Sequence, residues 1–558
     1  MKTKKVMALL AAVLMGTTAI SAFGGCVGGT EVKNDNYDTT KANLSVATFD
    51  GGVGRAWLQD AAARFEAKYA NATHFQEGRV GVKVSVDGDK TKYTGNQLAE
   101  SGKLTKDVYF TEAVDYYKFV NEGLVADLTD VITGSMADYG ESGTIENKID
   151  PAIKDFMTKK DGKYYMVPFY DGFYGFTYDI ELFEDKGFYL DDEGDFFGVN
   201  DEATREAFEA RKANGPDGKE GTYDDGLPAT YEQMIELCDR IVSRGCIPFC
   251  YSGSYPDYVN KAFFSYVADY EGYDNFMLNN SFDGTTQVVK SITDDGSLLG
   301  NVELETVTIT KDNGYDVQRQ AGKYYSLKME ELLFGSAKYV GGSYNALDYT
   351  VAQAEFIKSK YSAKPYAILV EGVWWENEAE PTFVELETLK GVKKEDRKFG
   401  FMPIPKANES KLGDQTMFSV NNSFGFVSKN AENMELAKEF MRFLHTDAEM
   451  SKFSAKTSIP RSLSYEVSAE DYATATPYGK SLIEMRSNSK VVYPFSSLDF
   501  VINHAENFDN MPWFNRTVVA GKTYSSAFNA FRFGNATAKT YFDGLCTYQQ
   551  QNWSTNSK

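Results

Sequence analysis

The side chains with the greatest chemical reach are rings and carboxylates lying close together. Residues 163–179, KYYMVPFYDGFYGFTYD, carry Tyr170, Asp171 and Phe173 inside a run of aromatics. A second group, Trp374-Trp375-Glu376, follows a strand-like run at 366–370. Neighbouring residues of a strand point to opposite faces, so the two tryptophans do not share one core face, and one of them is expected at a surface or cleft. Rings offer flat stacking platforms, and Tyr255 adds another in the loop YSGSYPDY at 251–258. Carboxylates in pairs can also hydrolyse glycosides, but in a chain with 80 Asp and Glu residues a pair by itself discriminates nothing. The three histidines, His74, His445 and His504, lie in no HExxH pattern, and GxSxG is absent, so the usual zinc and serine-nucleophile spacings are missing.

These groups need elements to position them. Residues 44–49 read as a short apolar strand, 56–69 as a helix with Trp57, Ala61, Phe65 and Tyr69 on one face, and 80–86 as an alternating strand. That is a βαβ unit, whose ligand-facing loops lie beyond the carboxyl ends of its strands. Asp50 sits in the first such loop and Glu112 after a third strand at 107–110, so both face one crevice. For Glu112 the alternative is a helix-starting acid favoured by the dipole. A second α/β stretch follows residue 179, with a helix at 231–244 and strands at 246–251 and 366–370. Alone, the 163–179 run reads as core. Between two such stretches it becomes a passage from lobe to lobe, with Tyr170, Asp171 and Phe173 at the floor of a cleft.

A chain of 558 residues exceeds one ordinary core. Its formal net charge of -22 disfavours nucleic acid and anionic membrane surfaces as partners. Lys2, Lys4 and Lys5 followed by the apolar run 6–15 make an export signal. Phe23-Gly24-Gly25-Cys26 resembles a bacterial lipobox, which implies cleavage after residue 25 and a lipid on Cys26; the alternatives are an unlipidated secretory signal cut nearer Ser21 or Ala22, or an uncleaved anchor. Residues 27–42 read as a polar tether. Cys238, Cys246, Cys250 and Cys546 are too scattered for a stapled scaffold. The acidic loop at 214–228 contains Asp217, Glu220, Asp224 and Asp225, oxygen ligands of the kind calcium takes. Lys219 and Gly221 stand where an EF-hand needs acids, which favours a solvated loop. No cofactor is expected beyond a structural calcium at Asp217, Asp224 and Asp225.

The order of the pieces resembles the extracellular solute-binding proteins of carbohydrate ABC importers, the family that includes maltose-binding protein. GKYYMVP at 162–168, GFTYDIELFEDKGF at 175–188, PATYEQM at 228–234, the run from Ala367 to Trp374, FGFMPIP at 399–405, and the strand and helix at 422–444 before Ser458-Ile459-Pro460 carry the likeness in sequence order. The resemblance implies a two-lobed, hinged α/β fold of the type II periplasmic-binding-protein class. It places one lobe at 43–168 plus 403–444 and the other at 169–402 plus 445–553. The crossings then fall near 168–178, 402–405 and 444–446, and 276–348 is an elaboration of the second lobe. It implies a monomeric receptor that binds a carbohydrate, hands it unaltered to permease subunits, and meets the membrane only through its lipid. Asp50, Glu112, Asp171 and Glu376 would take hydroxyls, while Tyr170, Phe173, Tyr255, Trp374 and Trp375 would stack on the sugar. The rival readings are a secreted carbohydrate-active enzyme and the same receptor fold with a peptide or other organic solute.

Overall fold

A computed structural model describes residues 37–199, 205–340, 347–420, 423–504 and 517–557. The expected export signal and Cys26 lie outside the described residues. Two sheets carry the architecture. The first runs in the order Val82–Gly88, Ala42–Thr48, Val108–Thr111, Phe424–Val427, Met166–Pro168. Its first three strands are parallel, and the late strand Phe424–Val427 enters antiparallel to both neighbours. The helix Ala56–Lys68 joins the first two and buries Trp57, Leu58, Ala61, Ala62 and Phe65, the stripe that its spacing predicts.

The second sheet runs Phe399–Met402, Tyr174–Asp179, Tyr366–Gly372, Ile247–Cys250. Tyr366–Gly372 is buried at every position, as expected of an inner strand covered on both faces. The helix Tyr231–Ser243 begins at a capping box in which Thr230 and Gln233 serve each other's backbone amides, which explains the PATYEQM motif. Two sheets with helices packed about them form a two-lobed α/β fold.

Residues 169–173 connect the strand Met166–Pro168 of the first sheet to Tyr174–Asp179 of the second. The second passage falls later than residue 403. The Lys406 amide donates to Ala229 O and its carbonyl accepts the Tyr231 amide, both at 2.8 Å. Its ammonium pairs with the buried Asp269 at 2.7 Å. The strand Thr416–Phe418 then pairs with Lys490–Val492, so the first sheet is regained only at Phe424. The third passage also falls later than 444–446. The helix Asp447–Thr457 lies back on the first lobe, where Glu449 holds Arg64 at 2.6 Å and Phe453 meets Trp57 edge-on at 4.9 Å. Second-lobe contact resumes at the helix Pro477–Asn488, whose Ser481 hydroxyl accepts the Phe401 amide. An amphipathic helix shows that it has a buried side without showing which lobe covers it.

Within the expected elaboration at 276–348, the described residues 276–340 join the C-terminal helix. The hairpin Gly284–Thr293 and Asn301–Ile309 leads to the helix Ala321–Phe334, and Leu327 shares a core with Phe264, Phe276, Tyr541 and Leu545. Trp553, in the helix Ala538–Asn556, closes a smaller core with Phe282, Ile309 and Val317, its indole donating to Lys311 O at 2.7 Å. In the acidic loop, Asp224 accepts the Asp217 amide at 2.9 Å and the Thr222 hydroxyl at 2.6 Å, and Asp225 accepts the Gly221 amide at 2.7 Å. These acids knit a self-contained turn. Among the described residues no three His, Cys, Asp or Glu side chains gather as metal ligands, so the structure gives the calcium reading at Asp217, Asp224 and Asp225 no support. Cys238, Cys246, Cys250 and Cys546 are free thiols. No helix among the described residues is long and apolar enough to cross a membrane.

Candidate functional site

The loops after the first and third strands of the first sheet face the end of Tyr366–Gly372 in the second. Glu112 follows Val108–Thr111 directly, but the next helix, Tyr116–Asn121, is capped by Asp115, which accepts the Lys118 amide at 3.0 Å. Glu112 is therefore no helix-starting acid. Its carboxylate accepts a hydrogen bond from the Tyr170 hydroxyl. Burial pushes Glu112 up to about 7, against that hydrogen bond, and the charge of Glu378 adds to the rise. Asp50, in the first loop, pairs with Arg55 at 3.4 Å and keeps a quarter of its side chain exposed.

From the second lobe, the Trp374 ring meets Tyr174 edge-on at 5.1 Å and Tyr170 edge-on at 6.4 Å. Tyr258 meets Tyr174 at 5.3 Å, and the Lys261 ammonium lies 5.1 Å from the Tyr174 centroid. Glu378 accepts the Gly52 amide of the first lobe at 3.2 Å and the Gln353 side-chain amide at 2.9 Å. Burial raises both Glu378 and Glu371, and it lowers Lys261. Tyr255, half exposed, stands at the rim beside Tyr258 and Tyr349, with centroids 6.3 and 5.7 Å away. Asp50, Glu112, Tyr170, Tyr255 and Trp374 thus border one interlobe region of rings and carboxylates.

Four expected residues lie apart from it. Asp171 is fully buried and committed to Arg486 at 2.7 Å and to the Tyr493 hydroxyl at 2.9 Å. Phe173 is buried and gives its carbonyl to the Val373 amide. Trp375 packs against Phe399 at 5.0 Å and Tyr478 at 5.7 Å, in the second-lobe core. Glu376 accepts the hydroxyls of Ser458 at 3.1 Å and Thr476 at 3.0 Å. The reason is local geometry. Residues 374–378 form a helical turn, Trp375–Glu378 capped by Trp374, so Trp374 and Glu378 stack on one side while Trp375 and Glu376 turn away. A helical reading of WWENE would have picked out Glu378. Tyr258 belongs to the same tyrosine-rich stretch as Tyr255, at the start of the helix Asp257–Ser281, whereas nothing local marks Gln353 or Lys261.

The model of the bacterial extracellular solute-binding protein family matches residues 54–451, most of the chain. The chain belongs to that family. Solved structures share the fold of this solute-binding protein. One is apo RafE from Streptococcus pneumoniae, at 13% identity and TM-score 0.51, covering 94% of this chain and 100% of that one. Another is the cyclic alpha-maltosyl-1,6-maltose binding protein of Arthrobacter globiformis, at 13% and 0.51, covering 92% and 100%. A chitin oligosaccharide binding protein aligns at 16% and 0.50, covering 92% and 99%. No curated protein matches the sequence. The family and these relatives are binding proteins rather than enzymes.

Proposed function

We propose that this solute-binding protein captures a carbohydrate, an oligosaccharide, outside the cytoplasmic membrane and passes it unaltered to the permease subunits of an ABC importer. The observation that carries the reading is the Trp374–Tyr174 pair, two rings at 89° beside the carboxylates of Glu112 and Glu378. A sugar ring presents apolar C–H faces and hydroxyl edges, and this pairing of platforms and acceptors answers both. In this reading Trp374 and Tyr174 stack, Glu112 and Glu378 accept hydroxyls, and Asp50 and Tyr255 meet the outer units. Asp171, Phe173, Trp375 and Glu376 hold the frame. Two of the solved relatives carry oligosaccharides in their names, which supports the same class. Anchorage through a lipid on Cys26 belongs to this proposal.

A thermal-shift screen against mono- and oligosaccharides, followed by calorimetry, tests it, because a ligand bound only by the native state raises Tm. Binding without product formation is the expected result. Turnover of an oligosaccharide would favour the enzyme reading, and failure of every sugar would overturn the carbohydrate class.

A further inference from the structure

Among the described residues, two carboxylates at the second-lobe wall make no ion pair. Glu371 is the penultimate residue of the strand Tyr366–Gly372 and is 1% exposed. One of its oxygens accepts only the adjacent Gly372 amide, at a long 3.2 Å, and the other is buried with no partner. Glu378, whose charge repels that of Glu371, takes the Gln353 side-chain amide at 2.9 Å. Among the described residues no Lys, Arg or His stands within ion-pair distance of Glu371 or Glu378.

The surroundings deepen the imbalance. Glu112 and Asp348 add negative charge from the first lobe and from the start of the helix Tyr349–Ser359. Against them stand Lys261, drawn over the Tyr174 ring, and Lys90, which acts on Glu378 from the first lobe. Tyr174 and Tyr258 both feel the Glu371 charge directly. Two buried carboxylates this close do not both ionise without a counter-charge. A neutral hydroxyl would occupy one acceptor and leave the charge uncompensated. An ammonium group would satisfy both carboxylates and gain from the tyrosine faces.

We propose that the ligand carries a protonated amine, seated against Glu371 and Glu378 beside Tyr174 and Tyr258, so that the sugar taken is an amino sugar. The inference rests on the carbohydrate-receptor reading and narrows it. The test is calorimetry on the full chain near neutral pH with matched pairs: glucosamine against glucose, and chitosan oligosaccharides against their N-acetylated forms. The amine-bearing member is expected to bind at least tenfold more tightly. Glu371→Gln and Glu378→Gln should each erase the preference while folding as judged by circular dichroism. Equal or tighter binding of the neutral member overturns the inference and leaves the carbohydrate reading standing. Choline, an ammonium without a sugar, separates the two claims. If no sugar binds but choline does, and Glu371→Gln abolishes it, the carbohydrate reading falls and the cation subsite holds. If neither class binds, both fall.

Discussion

The indole of Trp374 lies directly on Gly52: a methyl group at position 52 would stand 2.7 Å from Trp374 Cγ and 2.9 Å from its Cβ. Gly52 follows the first strand of one lobe and Trp374 the inner strand of the other, so this contact closes the gap between them. The Gly52 amide also donates to Glu378. A side chain at position 52 would act as a wedge. Gly52→Val is expected to hold the lobes apart, enlarging the radius of gyration in small-angle scattering and weakening ligand binding at least tenfold. Unchanged scattering and affinity would refute the closure geometry.

Trp374 presents its ring to the interlobe region, while Trp375 fills the core. Trp374→Ala should therefore weaken sugar binding at least tenfold, about 1.4 kcal/mol, with little loss of folding. Trp375→Ala should instead destabilise the second lobe by roughly 3–5 kcal/mol. Calorimetry and chemical denaturation on both variants separate the roles, and a reversal of the two effects would exchange them.

The Glu112 carboxyl is held up near 7 by burial, so the native chain binds this proton more tightly than the unfolded chain does. Its stabilising contribution is complete below the ordinary carboxylate pKa, about 4.3, and is lost as pH rises through about 7. Glu112→Gln removes that slope. The fall in Tm between about pH 5 and about pH 8 should shrink in the variant. Superimposable pH profiles of Tm for the two proteins would show that Glu112 titrates normally.

Asp171 is spent on Arg486 and Tyr493, not on ligand. Removing its charge leaves a largely buried guanidinium unpaired, so Asp171→Asn should cost about 3 kcal/mol of stability in urea unfolding. Sugar affinity should stay within about twofold, roughly 0.4 kcal/mol. A tenfold loss of affinity with normal stability would return Asp171 to the site.

Glu330, in the helix Ala321–Phe334, is fully buried with neither carboxylate oxygen partnered, and burial pushes its carboxyl well up. The native state keeps the proton, so stability falls as pH rises above the ordinary carboxylate range. Glu330→Leu should add about 1–3 kcal/mol near pH 8 and flatten the alkaline side of the Tm profile. A destabilised variant would mean that Glu330 has a structural partner.

Much of the fold was legible locally. The four-residue spacing from Trp57 to Phe65, the alternation of the 82–88 strand and the Thr230–Gln233 capping box each report the geometry of one element, and a few neighbouring residues specify such geometry. The ordered motifs then placed those elements in two lobes. Which lobe covers the helix Asp447–Thr457, and where the chain returns to the first sheet, depended on partners such as Arg64 and Lys490–Val492, far away in sequence.

The site divides in the same way. Residue types alone marked a binding region rich in rings and acids, and they put Trp374, Glu112 and Tyr255 at its border. They were silent on Asp171, whose partner Arg486 is 315 residues away, and on Glu371, whose lack of an ion-pair partner among the described residues is a property of everything around it. A local pattern shows which way a side chain leaves its own backbone, but what it meets there is set by the packing of segments hundreds of residues apart.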